Sequence, residues 1–224
     1  MQPQLGHRMS AIQAVQNAAL RTATGCHMMA DVDHLHAETK MLKVREHCSL
    51  ISQQFLLGCE VDGHPNHSSI RIPLPHRAIR DDLRRDREAI AHLVDSDLSA
   101  NLKLRLGTLH TEAVGRAISS LKDNIVLGGR PPPISNSELK LPRSTRATLS
   151  QLRSGYSKFL CSYLARTNEE VSAACPLCEL APHTTEHLFE CVGRPTELTT
   201  IDLWTRPIEV ARFLALDVGE CLDV

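Results

Sequence analysis

Between Cys175 and Cys191 the chain reads CPLCELAPHTTEHLFEC, with three cysteines and two histidines in seventeen positions. Zinc takes about four soft or borderline ligands in a tetrahedron, and a Cys-x2-Cys pair supplies two of them from one tight turn. Cys175 and Cys178 have that spacing. His187 and Cys191 stand four positions apart, so a helix beginning near Thr184 or Thr185 projects both from one face. The pattern Cys-x2-Cys-x8-His-x3-Cys therefore sets a turn against a helical turn across a metal ion, with Cys175, Cys178, His187 and Cys191 as zinc ligands.

His183 is the competing candidate. Used in place of His187, it makes the spacing Cys-x2-Cys-x4-His-x7-Cys, which begins like the retroviral knuckle and ends too late for it. Its place directly after Pro182 and ahead of the helix also cramps the loop, so it reads as a neighbour of the site or an exposed residue. Four good ligands describe a closed, structural site, since a catalytic zinc keeps an open position and usually a carboxylate base beside it. Glu186 and Glu190 lie close in sequence without altering that reading.

The rest of the chain has to supply a core without aromatic bulk. Phe, Trp and Tyr make up 3% of the 224 residues while 42% are hydrophobic, which leaves packing to Leu, Ile, Val and Ala and favours helices. The formal net charge of -1 gives no whole-molecule field toward nucleic acid or an anionic membrane, so such binding needs local patches. No apolar run approaches the roughly 20 residues of a membrane span, and MQPQLGHRMS lacks the order of a signal peptide. An intracellular protein with no membrane partner is expected, its eight cysteines reduced. Cys26, Cys48, Cys59, Cys161 and Cys221 then read as plain buried or indifferent thiols.

Periodicity predicts a mainly α chain with a small zinc-bound knuckle module near its C-terminus. SAIQAVQNAALRTATG spaces Ile12, Val15, Ala19 and Leu20 as a helix, with Ser10 as N-cap and Gly25 as stop. Residues 31–58 suit two helices breaking near Lys43, and 58–75 read as a loop or linker. Residues 77–92 form a charged helix in which Arg80, Arg84, Arg85 and Arg87 are answered by Asp81, Asp82, Asp86 and Glu88, a solvated face with ion pairs. A further helix is expected over about 111–121, after a short extended piece, and then three consecutive prolines break the chain. Two short helices interrupted at Gly155 and a last amphipathic helix from Pro207 complete the reading. Three segments follow: helical residues 1–60, linker and charged helices over 61–137, and a C-terminal helical module over 138–224 holding the knuckle at 175–191.

These stretches resemble the C-terminal region of the polyprotein of jockey-like, LINE-type non-LTR retrotransposons. That family places a Leu-Arg-Ser-Gly segment, matched by Leu152 to Gly155, ahead of a Cys-Cys-His-Cys knuckle whose histidine sits in a Glu-His-Leu-Phe context, matched by Glu186 to Phe189. AVQNAALRTATGC and HLHAETKMLKVREH are similar to the thumb that follows the reverse transcriptase palm. The resemblance implies a thumb remnant plus a zinc knuckle, and a full-length retroelement polymerase as a partner.

The catalytic carboxylates of a reverse transcriptase palm are not legible. Asp31 to Asp33 and Asp81 to Asp82 sit in helical surroundings, and each reads as a cap or a solvated charge, so no enzyme activity is expected. The function expected is instead a non-catalytic grip on single-stranded RNA or DNA beside the knuckle. Arg143, Arg146, Arg153, Lys158, Arg166 and Arg194 would supply charge, and Tyr156, Phe159, Tyr163 and Phe189 stacking faces, about half of these aromatics belonging to the core. The alternative is a zinc-stapled structural or protein-interaction module that binds no nucleic acid.

Overall fold

The computed structural model describes residues 3–69 and 77–219, and among these the chain is helical throughout apart from turns and isolated bridges. Its helices are α1 (Pro3–Thr24), α2 (Val32–Thr39), α3 (Val44–Cys59), α4 (Arg77–Ile90), α5 (Leu98–Ser120), α6 (Arg143–Arg153), α7 (Cys161–Thr167), α8 (Thr185–Glu190), α9 (Asp202–Thr205) and α10 (Pro207–Phe213). They form two compact units, Met1–Gln13 with Lys40–Ser120, and Ala14–Thr39 with Leu121–Val224. The division crosses the three segments read from the sequence, because residues 14–39 join the C-terminal unit.

In the first unit α3 packs on α4 and on α5. Leu50, Leu56 and Leu57 of α3 meet Ile90, Leu93, Leu98 and Leu109 in one buried cluster. A polar link joins α3 to α4: the Ser49 hydroxyl and the Gln53 amide both donate to the Asp86 carboxylate, at 2.8 and 3.0 Å. The charged face of α4 carries exposed pairs between Arg84 and Glu88 and between Arg85 and Asp82, as its sequence suggests. Two expectations need correction. The extended piece before Thr111 is helix, because Leu98, Leu102, Leu106 and Leu109 recur at spacings of four, four and three, which lays them along one helical face that the LKLRL alternation disguises. Ser10 lies inside α1 and is not its N-cap, since the helix already starts at Pro3, where a proline in the first turn is harmless.

The second unit is built around Trp204. Leu149 and Leu152 of α6, Leu203 and Trp204 of α9, Val210, Ala211 and Leu214 from α10 and its end, and Leu188 and Phe189 of α8 share one core. α1 stops at Gly25, whose φ of 74° is costly for any side chain, and a Cβ there would lie 2.4 Å from the Cβ of Ala147 on α6. The prolines 131–133 belong to no helix, yet they lie within this unit: Ile134 packs on the core and the Ser135 amide donates to the Trp204 carbonyl at 2.8 Å. α6 and α7 are separated at Gly155, as read from the sequence.

Candidate metal centre

Residues 173–183 double back on themselves. The Cys175 amide donates to the Ala181 carbonyl at 2.8 Å, the His183 amide to the Ala173 carbonyl at 2.8 Å, and the Glu179 amide to the Cys175 carbonyl at 2.8 Å. This tight turn carries Cys175 and Cys178. Thr184 then caps α8, its hydroxyl accepting the His187 amide, so His187 is held in the first turn and Cys191 follows the last residue. The Thr185 hydroxyl donates to the Leu152 carbonyl at 3.0 Å, which ties α8 to the end of α6.

These elements bring the ligand atoms of Cys175, Cys178, His187 and Cys191 within 4.8 Å of one another. The Cys175 and Cys191 sulfurs are 3.7 Å apart, and the Cys178 sulfur is 3.2 Å from His187 Nε2. A disulfide would need about 2.05 Å, whereas the edge of a tetrahedron with zinc–sulfur bonds of about 2.3 Å is about 3.8 Å. The sulfur pair therefore has the spacing of two ligands on one tetrahedral metal. Cys175 and Cys191 are buried, Cys178 and His187 half-buried, and the four donors form a cluster that could hold a metal ion.

The electrostatics favour a thiolate. Burial pushes the Cys175 thiol up, but the Leu177 and Cys178 amides aimed at its sulfur, together with the Cys191 and His187 side chains, bring it down to about 7. Burial moves the Cys191 thiol the other way, upward, with Cys175 and Cys178 adding to it. A metal cation at the centre would supply the positive charge that such closely packed sulfurs lack.

His183 stands apart from the cluster. Buried, it accepts the Cys161 amide on Nδ1 at 3.1 Å, which puts its ring proton on Nε2, and its carbonyl accepts the Ser162 hydroxyl at 2.8 Å. It caps the N-terminus of α7. Burial and the neighbouring His187 lower its pKa, as suits a ring kept neutral. His183→Ala should therefore leave the metal in place and cost about 1 kcal/mol of stability, readable as an unchanged metal content with a lowered melting temperature.

The proposed nucleic-acid contacts fare unevenly. Arg153 must be withdrawn, being 0% exposed. Its Nε donates to Glu38 at 3.0 Å, and further bonds run to Glu138 at 2.7 and 2.9 Å, to the Leu203 carbonyl at 2.8 Å and again to Glu38, which engages all five guanidinium N–H groups. Tyr163 and Phe189 are core residues, and Tyr156 is half-buried, stacked on His27 at 6.3 Å. Arg194 lies 4.5 Å over the Phe213 ring and donates to the Phe213 carbonyl, and Arg143 donates to the Thr22 carbonyl. Arg146 is half-buried, and Lys158 and Arg166 are exposed. Of the aspartates, Asp31 accepts the Asp33 amide at the start of α2 and so acts as a cap, and Asp82 pairs with Arg85.

Sequence reasoning missed the acidity of the ligand-bearing stretch itself. From Cys175 to Cys191 there are three glutamates, Glu179, Glu186 and Glu190, and neither lysine nor arginine. Its exposed side chains include Leu177 and Leu180, with Val192 just beyond. The signal lay in the quoted stretch and was overshadowed by the cations on either side.

Fold and site together define a helical chain carrying a Cys3His cluster able to bind a metal ion. No protein-family model matches the chain, and neither a curated protein nor a solved structure is significantly similar to it. Among the described residues, no helix is long and apolar enough to cross a membrane.

Proposed function

We propose that this chain is the non-catalytic C-terminal portion of a LINE-type retroelement reverse transcriptase, in which one zinc ion closes the knuckle and holds α8 against α6 for contact with another protein. The observation that carries the zinc is the sulfur separation of 3.7 Å within a four-ligand cluster. The two motifs behind the resemblance, Leu152 to Gly155 and Glu186 to Phe189, are joined by the Thr185 bond to the Leu152 carbonyl and share one core, which supports their belonging to a single functional unit. Reduced thiols of this kind suit an intracellular setting. The partner in this reading is the polymerase from which the segment derives.

The acidic knuckle favours a protein contact over a nucleic-acid grip. Three glutamates stand against no lysine or arginine, and a Cys3His zinc centre adds a further negative charge, three thiolates against one divalent ion. A second reading, weak binding of single-stranded RNA or DNA, rests on exposed Lys158 and Arg166. Two phosphate contacts give a slope of log affinity against log salt of only about 1 to 1.5. Titration of a labelled oligonucleotide at several salt concentrations decides between the readings: Lys158→Ala with Arg166→Ala should abolish whatever binding exists, and a slope near four would overturn the protein-contact reading.

The purified chain should also fail to extend a primer on any template. Magnesium-dependent nucleotide incorporation that survives removal of contaminating polymerases would refute the non-catalytic assignment.

A further inference from the structure

A cavity of about 180 Å3 lies in the second unit, and its lining includes Asp31, Asp33, His34, Lys122, Asp123 and Tyr156. These come from the start of α2, from the turn at residues 122–125 and from the turn between α6 and α7. An engineered cavity of about 150 Å3 accepts one benzene-sized guest, so this one has room for a single small group and a short stem.

The charge belongs to the lining itself. Three carboxylates stand there against one ammonium, and Lys122 is already engaged: its Nζ lies 3.6 Å from Asp31, while its amide donates to Asp33 at 3.1 Å. Asp123 is exposed and pairs with no cation among the described residues. His34 does not offset this excess. The Asn124 side chain donates to the Arg153 carbonyl at 2.9 Å and accepts the Val126 and Leu127 amides at 3.0 and 2.9 Å, which fixes its orientation. Its amide nitrogen therefore meets His34 Nδ1, at 3.4 Å, and the ring proton sits on Nε2. Burial lowers the His34 pKa and keeps the ring neutral. With the side chain 8% exposed, this Nε2–H has no hydrogen-bond partner, the Glu38 oxygen being 4.0 Å away. Residues on one cavity thus leave a carboxylate short of a cation and a buried N–H short of an acceptor.

A metal ion does not suit this pattern, because among the described residues only the Cys3His cluster gathers three or more such ligand atoms. Phosphate is opposed by the net charge of the lining. An organic cation remains. Met29 and Ile125, both exposed, line the cavity with the half-buried Tyr156 and offer apolar surface to a methylene stem. A guanidinium is planar, more weakly hydrated than an ammonium, presents paired N–H groups to a carboxylate and stacks on aromatic faces.

We propose that this cavity binds an alkylguanidinium group, with Asp123 as its carboxylate partner and Tyr156 beside it. An arginine residue in a peptide also brings a main-chain carbonyl as an acceptor for the His34 N–H, which a free alkylguanidinium lacks. The site is separate from the metal cluster and does not rest on the protein-contact reading of the knuckle.

The test titrates the full chain, labelled at its methyl groups, with end-blocked Gly-Arg-Gly, its citrulline counterpart, ethylguanidinium and inorganic phosphate. The arginine peptide should give saturable shifts of the Met29 and Ile125 methyl signals, and the neutral citrulline peptide should bind about tenfold more weakly. Asp123→Asn should weaken the arginine peptide about fivefold at an unchanged melting temperature, since Asp123 has no partner to lose. Lys122→Met should strengthen it about threefold by releasing Asp31. Ethylguanidinium binding more weakly than the peptide identifies a peptide arginine as the guest, and equal binding identifies a free alkylguanidinium. Equal affinity for arginine and citrulline overturns the proposal, as do an Asp123→Asn chain that binds like the parent, phosphate shifting the same signals more than the cations do, or no saturable shift at millimolar peptide.

Discussion

Stripping zinc from this chain should unfold the stretch from Ala173 to Cys191 and loosen the core of the second unit, while the α3–α5 cluster of the first unit stays helical. α8 has six residues, far fewer than the roughly 12 an isolated helix needs to stand in water, and it supplies Leu188 and Phe189 to the core. On the zinc reading, the metal would hold that short helix to the turn bearing Cys175 and Cys178. Structural zinc in small modules contributes on the order of 10 kcal/mol of apparent binding free energy at neutral pH, which is comparable to the stability of a whole domain. We expect one zinc per chain by elemental analysis. Cys178→Ser and His187→Ala should each reduce zinc affinity by orders of magnitude, with loss of tertiary signals from the Trp204 environment. Pure protein without zinc, folded to the same melting temperature as protein supplied with it, would end this account.

The second large effect belongs to Arg153. Glu38, Glu138 and Arg153 form a buried ionic cluster in which one guanidinium serves two carboxylates. Burial alone would raise the Glu38 pKa, but the Arg153 charge wins and holds it below the ordinary carboxylate range, and the same partners raise that of Arg153 against its own burial. Removing one member of a buried pair leaves an uncompensated charge, so Arg153→Met should cost the second unit about 3–5 kcal/mol in denaturant unfolding. The pH dependence supplies a sharper check. In the native chain Glu38 has a depressed folded pKa, so its contribution is present above the carboxylate range and lost as pH falls through it. His34, its pKa lowered mainly by burial, adds a loss in the same direction as pH falls through the ordinary histidine range. In Arg153→Met the desolvated Glu38, without its cation, should have a raised value, so the variant should regain part of its deficit in mild acid. A variant that is as stable as the parent at neutral pH, and that loses stability in acid with the parent's slope, would contradict the buried cluster.

Arg153 also marks where reading a sequence stops. It stands beside Tyr156 and Lys158 in a stretch rich in cations, and nothing local distinguishes it from Lys158, which the fold leaves exposed. The difference is made by Glu38, 115 positions away, and by the Leu203 carbonyl, 50 positions away. Burial of a charge depends on such distant partners, and no periodicity within α6 encodes them. Tyr163 and Phe189 were open between core and surface for the same reason, and only the packing of α7 and α8 around Trp204 assigns them to the core.

The features legible from the residues alone are those that short-range geometry controls. The break near Lys43, the stop at Gly25, the start of α10 at Pro207 and the ligand set of the metal cluster all depend on residues within a turn or two of each other, where backbone freedom and spacing leave few alternatives. The seventeen residues from Cys175 to Cys191 carry all four donors that lie within 4.8 Å of one another. Long-range packing settles which unit a segment joins and which charges face water. Residues 14–39 pack with the C-terminal unit, and Arg153 disappears between two glutamates. Those outcomes depend on contacts across a hundred residues or more, where the free energy of burying a surface is settled by what arrives to cover it.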